Sequence, residues 1–240
     1  GGKRLSAILA KVAQKVRPGV STYELDQYAY ELIKEGGDEP AFLGYKPDGH
    51  HKAFPASLCT SVNSEVVHGI PRKDKILKEG DIICIDLGLK HKGLFTDHAV
   101  TVAVGAISKE SQKLLDATRE ALAVGIEQAV AGNTVGDIGH AIESFVNKRY
   151  GSVRELSGHG VGKYIHEGPY VPKIGKKGKG QKLIPGMVIA IEPMLNIGRA
   201  DIVSMSDGYT IKTADGSRSA HFEHTVLITE GEPEILTARE

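Results

Sequence analysis

Asp86, Asp97, His159, Glu192 and Glu223 are the residues whose types and placing could do chemistry. They make an oxygen-rich set with one imidazole, unlike the sulfur-rich or histidine-rich shells of structural zinc. Hard and borderline divalent ions such as Mn, Fe, Co or Zn suit such ligands. Two bridging carboxylates can hold two ions about 3.5–4 Å apart, where a shared water becomes hydroxide near neutral pH, the nucleophile of a hydrolase. His159 sits in SGHGVG (157–162), whose glycines are expected to let backbone and ligand crowd the same space.

The acids draw their weight from an internal repeat. LKEGDIICID (77–86) aligns with LIPGMVIAIE (183–192), which sets Asp86 on Glu192 at the end of an apolar run. TDHAVTV (96–102) aligns with FEHTVLI (222–228), which sets Asp97 on Glu223. Upstream, PGVSTYELDQYAYELI (18–33) matches AGNTVGDIGHAIESFV (131–146), and each copy places Ser21 or Thr134 three residues before Glu24 or Asp137, as in a capping box. VVHGIP (66–71) resembles YIHEGP (164–169), pairing His68 with His166. A period near a hundred residues is far too long for a solenoid. The chain therefore reads as one catalytic domain, 1–240, built of halves at about 1–105 and 106–240, with its site at the seam.

Taken singly, a strand-end Asp is more often a turn former than a ligand, and a lone His is more often an ordinary polar residue. An inward acid following an apolar strand twice is different, because a buried unpaired carboxylate costs several kcal/mol. Internal ion pairs with Arg or Lys are the alternative at this level.

Hydrophobic periodicity predicts the elements that position these groups: helices at 3–16, 22–35, 109–130 and 135–149, and strands at 57–63, 81–89, 97–104, 155–158, 187–194 and 221–229, with a hairpin at 201–214. A Pro-, Gly- and His-rich loop spans 46–55. Helices precede strands in each half and strand connections are short, which favours antiparallel pairing and an α+β fold. No strand-GxGxxG-helix unit supports a nucleotide fold.

Composition sets outer bounds. The 30 Lys+Arg balance the 30 Asp+Glu, so no global field draws the protein to nucleic acid or membrane. Two cysteines, Cys59 and Cys84, and no apolar run near spanning length lead us to expect a reducing, soluble compartment, by default the cytoplasm.

At these residues the sequence resembles the methionine aminopeptidases of the pita-bread fold, the bacterial-like type I branch most closely. NSEVVHGIP, CIDLGLKHKGLFTDHAVTV, SGHGVGKYIHEGP, MVIAIEPM and SAHFEHTVLIT stand in the family's order. The long insertion of type II enzymes has no room between His166 and Glu192. The resemblance implies an α+β pita-bread fold of two pseudo-twofold half-domains, with antiparallel sheet and outer helices. It implies two divalent ions (Co, Mn, Fe(II) or Zn), Asp86 chelating one, Asp97 and Glu223 bridging, and His159 and Glu192 completing the other.

The implied activity is removal of N-terminal methionine from nascent chains with a small second residue, by metal-activated hydroxide attack on the first peptide bond. His166 would hydrogen-bond the carbonyl, Glu192 would act as general base or shuttle, and His68 would contact the amide nitrogen. Ordinary polar histidines are the bland reading of His68 and His166, against which their paired HGIP and HEGP settings weigh. Tyr45, Phe54, Cys59, Ile165 and Tyr209 are candidates for the methionine pocket, since sulfur packs well on aromatic edges and soft thiols. Taken singly, each is more often structural core than pocket wall.

The chain departs from the family's short Gly-Tyr-x-Gly-Tyr/Phe-Pro turn by running GYKPDGHHKAFP (44–55), extra residues expected to reshape the entrance. His50 and His51 there suggest an accessory metal site or a solvated loop. The basic run at Lys176, Lys177 and Lys179 is a solvated loop or a contact for ribosomal RNA phosphates. A monomer is expected. Proline-specific peptidases share the fold and ligand set but carry a different histidine-bearing stretch, and a catalytically dead pita-bread binding protein would have lost ligands.

Overall fold

The computed structural model describes residues 1–238. In chain order it contains α1 (Gly2–Lys15), α2 (Thr22–Glu35), β1 (Glu39–Pro40), β2 (Leu58–Val62), β3 (Glu65–Val67), β4 (Ile82–His91), β5 (Leu94–Ala103), α3 (Lys109–Glu127), α4 (Val135–Val146), β6 (Gly151–Ser152), β7 (Gly158–Gly160) and β8 (Glu167–Val171). There follow β9 (Val188–Ile191), β10 (Met194–Asn196), β11 (Ile202–Ser204), β12 (Ile211–Thr213), β13 (Ser219–His221), β14 (His224–Leu227) and β15 (Glu234–Ile235).

Each half builds a pair of helices on an antiparallel sheet. In the first, Leu5, Leu9 and Val12 of α1 and Leu25, Ala29 and Ile33 of α2 recur at helical spacing and pack on Ile83, Ile85, Leu87 and Leu89 of β4. β4 lies between β5 on one side and β1 and β2 on the other. In the second half Leu114, Leu122 and Ile126 of α3 and Ile138 and Ile142 of α4 cover Ile189, Ile191 and Val226 of the sheet β15-β14-β9-β7-β8. Two three-stranded sheets, β13-β10-β6 and β11-β12-β3, complete the fold, and every pairing is antiparallel.

The copies repeat each other bond for bond at their helix entries. Gly19 N donates to Leu77 O and Leu77 N to Val20 O; in the second copy Gly132 N donates to Leu183 O and Leu183 N to Asn133 O. Ser21 N is capped by Glu24 Oε2 and Thr134 N by Asp137 Oδ2, each at 2.8 Å, as the repeat predicts. Losing such a cap costs about 1 kcal/mol. Both acids hold their protons weakly: hydrogen bonds from Ser21 and Thr134 lower Glu24 and Asp137 below the usual carboxylate range.

The structure redraws several boundaries. Asp86 does not end a strand: β4 runs on to His91, because Leu87 and Leu89 still face the core and every residue from Ile82 to His91 pairs with β5. The 187–194 strand breaks after Ile191 at Glu192-Pro193, since proline has no N–H to give a ladder. The 221–229 strand divides in the same way into β13 and β14 around Phe222 and Glu223. Residues 154 and 155 are exposed and irregular, and the strand expected at 155–158 begins only at Gly158. The last helix stops at Val146 because Asn147 turns left-handed, at φ 43°.

Candidate metal centre

Three ligand positions sit within strands, and two fall where strands end or break. Asp86 is central in β4, and Asp97 is in the neighbouring strand β5, two residues out of direct register, facing Gly88. His159 is the middle residue of β7, Glu192 follows β9, and Glu223 lies between β13 and β14. Gly158 and Gly160 around His159 are needed for backbone, not ligand: a Cβ would meet Ala190 O at 2.2 Å and Gly168 O at 2.1 Å respectively. The crowding expected there comes from adjacent strands.

A threonine clamps the seam between the halves. Asp97 N donates to Thr225 Oγ1 (2.9 Å), Thr225 Oγ1 donates to Asp97 O (2.7 Å), and Glu223 N donates to Ala99 O (2.9 Å). Asp97 and Glu223 are thereby fixed opposite each other. Ligand atoms of Asp86, Asp97 and Glu223 all lie within 4.8 Å of one another, as do those of His159, Glu192 and Glu223. Glu223 belongs to both groups, so the five residues form one continuous cluster.

The donor chemistry fits divalent cations. His159 Nδ1 lies 2.9 Å from Gly160 O; a carbonyl only accepts, so the ring proton is on Nδ1 and the Nε2 lone pair is bare. That nitrogen faces Asp97 Oδ2 at 3.9 Å and Glu192 Oε1 at 3.8 Å. A lone pair aimed at carboxylate oxygens needs a cation between them. Asp86 Oδ1 and Glu223 Oε1 are buried without a hydrogen-bond partner, a cost of a few kcal/mol each unless an ion is bound.

Burial, more than any neighbour, lifts the acids. Desolvation, then Asp97 and Glu192, pushes Asp86 well above the usual carboxylate range, and the same causes with Asp86 raise Glu223. Desolvation takes Asp97 to about 7, opposed by the His98 N–H, and Glu192 to about 8, opposed by Lys173. Four acids whose charged forms are disfavoured together are the electrostatic counterpart of a site for about four positive charges.

One cavity opens onto the cluster. Its walls include Asp86, Asp97, His159, Glu192 and Glu223 together with Tyr45, Phe54, Cys59, His68, His166 and Tyr209. Of the sequence-derived pocket candidates, Ile165 alone does not line it; Ile165 is buried behind, in the same apolar cluster as Phe54 and Cys59. Phe42 and Val67 line the wall instead. His68 is held with φ 57° at the end of β3. Desolvation, then His50 and His159, lowers its imidazole to about 4. His166 stands 4.4 Å ring to ring from His159, and an additional group of Asp97, His159 and His166 meets the same 4.8 Å spacing.

Several residues of the site had no place in the sequence reading. His221 Nε2 lies 3.5 Å from Glu192 Oε2, and its Nδ1 lies 3.6 Å from Cys84 Sγ. Its signal was the spacing: in the strand expected at 221–229, His221 and Glu223 are two apart, the period of one strand face. Lys173 is buried, and donates to Leu156 O (2.7 Å) and Met194 Sδ (3.5 Å). Desolvation lowers it to about 8 while Glu192 and Glu155 oppose the shift. In sequence it is one lysine among many. His50 stacks on Tyr209 at 4.9 Å, and among the described residues neither it nor His51 joins a metal-capable group.

The model of metallopeptidase family M24 matches residues 1–230. The chain belongs to this family. Among M24 relatives, a methionine aminopeptidase of Aquifex aeolicus is 50% identical over 97% of this chain and 92% of its own length. Methionine aminopeptidase 1 of Bacillus subtilis is 45% identical over 98% and 93%. The crystal structure of methionine aminopeptidase from Thermotoga maritima superposes with a TM-score of 0.94 at 41% identity, covering 100% of this chain and 94% of that one. The prolidase of Pyrococcus horikoshii, at 21% identity and a TM-score of 0.73, shares the M24 fold, and this chain spans 59% of it. The pita-bread architecture implied by the family resemblance is the architecture of these structures.

Proposed function

We propose that this protein is a metal-dependent methionine aminopeptidase that removes N-terminal methionine from new polypeptides with a small second residue. The observation that carries the reading is the shared cavity: a five-residue oxygen-rich cluster and an apolar wall of Phe42, Phe54, Cys59 and Tyr209 line the same space. Divalent ions held by Asp86, Asp97, His159, Glu192 and Glu223 supply Lewis acidity and an activated water near neutral pH. Two ions, of Mn, Co, Fe(II) or Zn, suit the charge of four carboxylates.

The protein's own groups do the rest. The apolar wall takes the methionine side chain, with sulfur against aromatic edges and the Cys59 thiol. Burial raises that thiol well above its ordinary range, so it stays uncharged beside the thioether. His166 donates to the scissile carbonyl oxygen as negative charge develops on it. His68 contacts the scissile amide nitrogen. Glu192, pushed up to about 8 without metal, accepts and passes on the proton of the attacking water. The two halves, 1–105 and 106–240, act as one catalytic domain, each lending one of the paired histidines.

A monomer working in the cytoplasm, where chains emerge, fits this role, and both cysteines are free and buried. No helix among the described residues is long and apolar enough to cross a membrane. The loop carrying Lys176, Lys177 and Lys179 is exposed beside the N-terminus of α4, and a brief contact with ribosomal phosphates there suits a protein acting on nascent chains.

The test is a peptide panel with metal supplied. Methionine release is expected to be fast from Met-Ala-Ser, much slower from Met-Lys-Ser and absent from Xaa-Pro peptides. A tight floor excludes a large second residue by overlap, a stronger filter than the 10–200-fold or so that a methylene difference gives. Comparable rates on Met-Ala-Ser and Met-Lys-Ser would show that the 46–53 loop has opened the site into a general aminopeptidase.

A further inference from the structure

Donation by His166 to a carbonyl oxygen needs the ring proton on the nitrogen that faces the substrate. A neutral imidazole has one proton and two places for it, and the partner of the other nitrogen decides between them. For His159 the Gly160 carbonyl decides, because it can only accept. His166 Nδ1 has a different neighbour, the phenolic oxygen of Tyr45 at 2.8 Å. A phenol can donate or accept. Among the described residues the Tyr45 hydroxyl meets no second hydrogen-bond partner, so its proton has the Nδ1 lone pair as its acceptor. Nε2, on the opposite edge of the ring, is then the protonated nitrogen.

Tyr45 is itself held at the neck of the residues that depart from the family's short turn. Its N–H donates to Phe42 O (2.9 Å) and its carbonyl accepts from Phe54 N (2.8 Å), closing the 46–53 loop. From the other half, Tyr209 Oη donates to Lys52 O at 2.6 Å. Its ring packs on Phe54 and His50, at 5.1 and 4.9 Å. Tyr45 and His166 rings lie 5.1 Å apart, tilted by 42°. The hydroxyl is therefore presented to His166 by a frame fastened at both ends.

We propose that Tyr45 is a positioning residue: its hydroxyl donates to Nδ1 of His166, fixes the Nε2–H tautomer and aims that N–H at the scissile carbonyl, while Tyr209 couples this arrangement to the 46–53 loop. The inference rests on the aminopeptidase reading for the use of the N–H, but not for the tautomer itself. No proton leaves the ring in this role; the Nε2–H bond to oxygen shortens as charge grows.

The test is Tyr45→Phe, which keeps the aromatic wall and removes the donor. In zinc-loaded protein with 15N-labelled histidine, long-range 1H–15N spectra of the unaltered chain are expected to show His166 protonated on Nε2 alone. In Tyr45→Phe the signal is expected to move toward a mixture of tautomers. Turnover of Met-Ala-Ser should fall about tenfold at nearly constant KM, the pattern of an interaction made in the transition state, at the scale of groups that orient active-site residues. Tyr209→Phe, which only loosens the loop, should lower kcat by about threefold in the same sense. An Nδ1–H tautomer in the unaltered protein overturns the proposal whether or not any variant folds. So does a rise in KM with kcat and tautomer unchanged. Absence of turnover in the unaltered, metal-loaded protein would instead strike the aminopeptidase reading, and the spectra would still read the tautomer.

Discussion

In the first half Asp86 and Asp97 stand on adjacent strands of one hairpin, β4 and β5, joined by Lys92 and Gly93 at φ 50° and 84°, as a tight two-residue turn requires. In the second half the corresponding strands, β9 and β14, are still paired, but residues 192–223 leave between them, form β10 to β13 and return. The excursion places Glu192 and Glu223 at its two ends and Tyr209 at its far turn, against Phe54 and the 46–53 loop. Where the halves agree they present carboxylates; where they differ they shape a pocket. A duplicated frame has thus kept its charge pattern while one connection grew into a wall.

The strongest way to break this comparison is to remove what the shared pattern is for. Exhaustive chelation is expected to abolish turnover and Mn(II), Co(II) or Fe(II) to restore it, because the activated water exists only with metal. Asp97→Asn and Glu223→Gln, the two equivalent positions, should each cut turnover by roughly 10³-fold or more and release bound metal on dialysis, the scale being at least that of a lost transition-state contact. Full activity after chelation would leave the carboxylates as internal structure.

The paired histidines sharpen it. His166→Ala should lower turnover by roughly 10²–10³ with metal content intact, as for loss of a donor to the transition state. His68→Ala should act in the same direction, since His68 is held neutral at the cavity wall. Metal analysis of the His166 variant discriminates: loss of an ion would make His166 a ligand, in the group it forms with Asp97 and His159.

What was legible in the sequence follows the same division. The acids and the paired histidines were readable because the repeat shows them twice, His159 because of its glycine-rich SGHGVG setting and the family resemblance, and the helices because Leu5, Leu9, Leu25 and Ile33 recur at helical spacing. The capping boxes were local enough to read directly. The pocket was legible only in part: Tyr45, Phe54, Cys59 and Tyr209 line it as the resemblance implied, but Phe42 and Val67 come from separate elements whose approach depends on tertiary packing, and Ile165 sits one layer behind the wall. Lys173 was illegible for the same reason: nothing nearby in sequence marks a lysine whose ammonium is met by Leu156 O and Met194 Sδ. The strands expected at 81–89 and 187–194 were misjudged in opposite directions, the first running on to His91 and the second breaking after Ile191. Unbroken burial from Ile82 to Leu89 carries β4 past an acid, while Pro193 stops β9 at one.

The smallest effect tests whether the cluster is held together by metal or by protons. Without metal, burial raises Asp97 to about 7 and Glu192 to about 8, and holds Asp86 and Glu223 well above the usual carboxylate range. Unfolded carboxylates release their protons near 4. Between those values the folded chain holds protons that the unfolded chain has lost, so stability falls as pH rises. Histidines oppose this below about 6.5: burial lowers His68 to about 4 and lowers His159 and His221, so they favour the folded state as pH climbs to their unfolded value. Lys173, lowered to about 8, favours it again above that pH. Between about 6.5 and 8 the four carboxylates therefore outweigh the Gly1 amino group, which burial lowers from its ordinary value and which opposes them. Metal takes the place of their protons and removes the slope. The rise in Tm on adding Mn(II) to chelated protein should thus be larger at pH 8 than at pH 6.5, by about 3 °C for each kcal/mol of difference in a chain of this size. An equal rise at both pH values would mean that the cluster is already ionised without metal, and that internal ion pairs hold the seam between the halves.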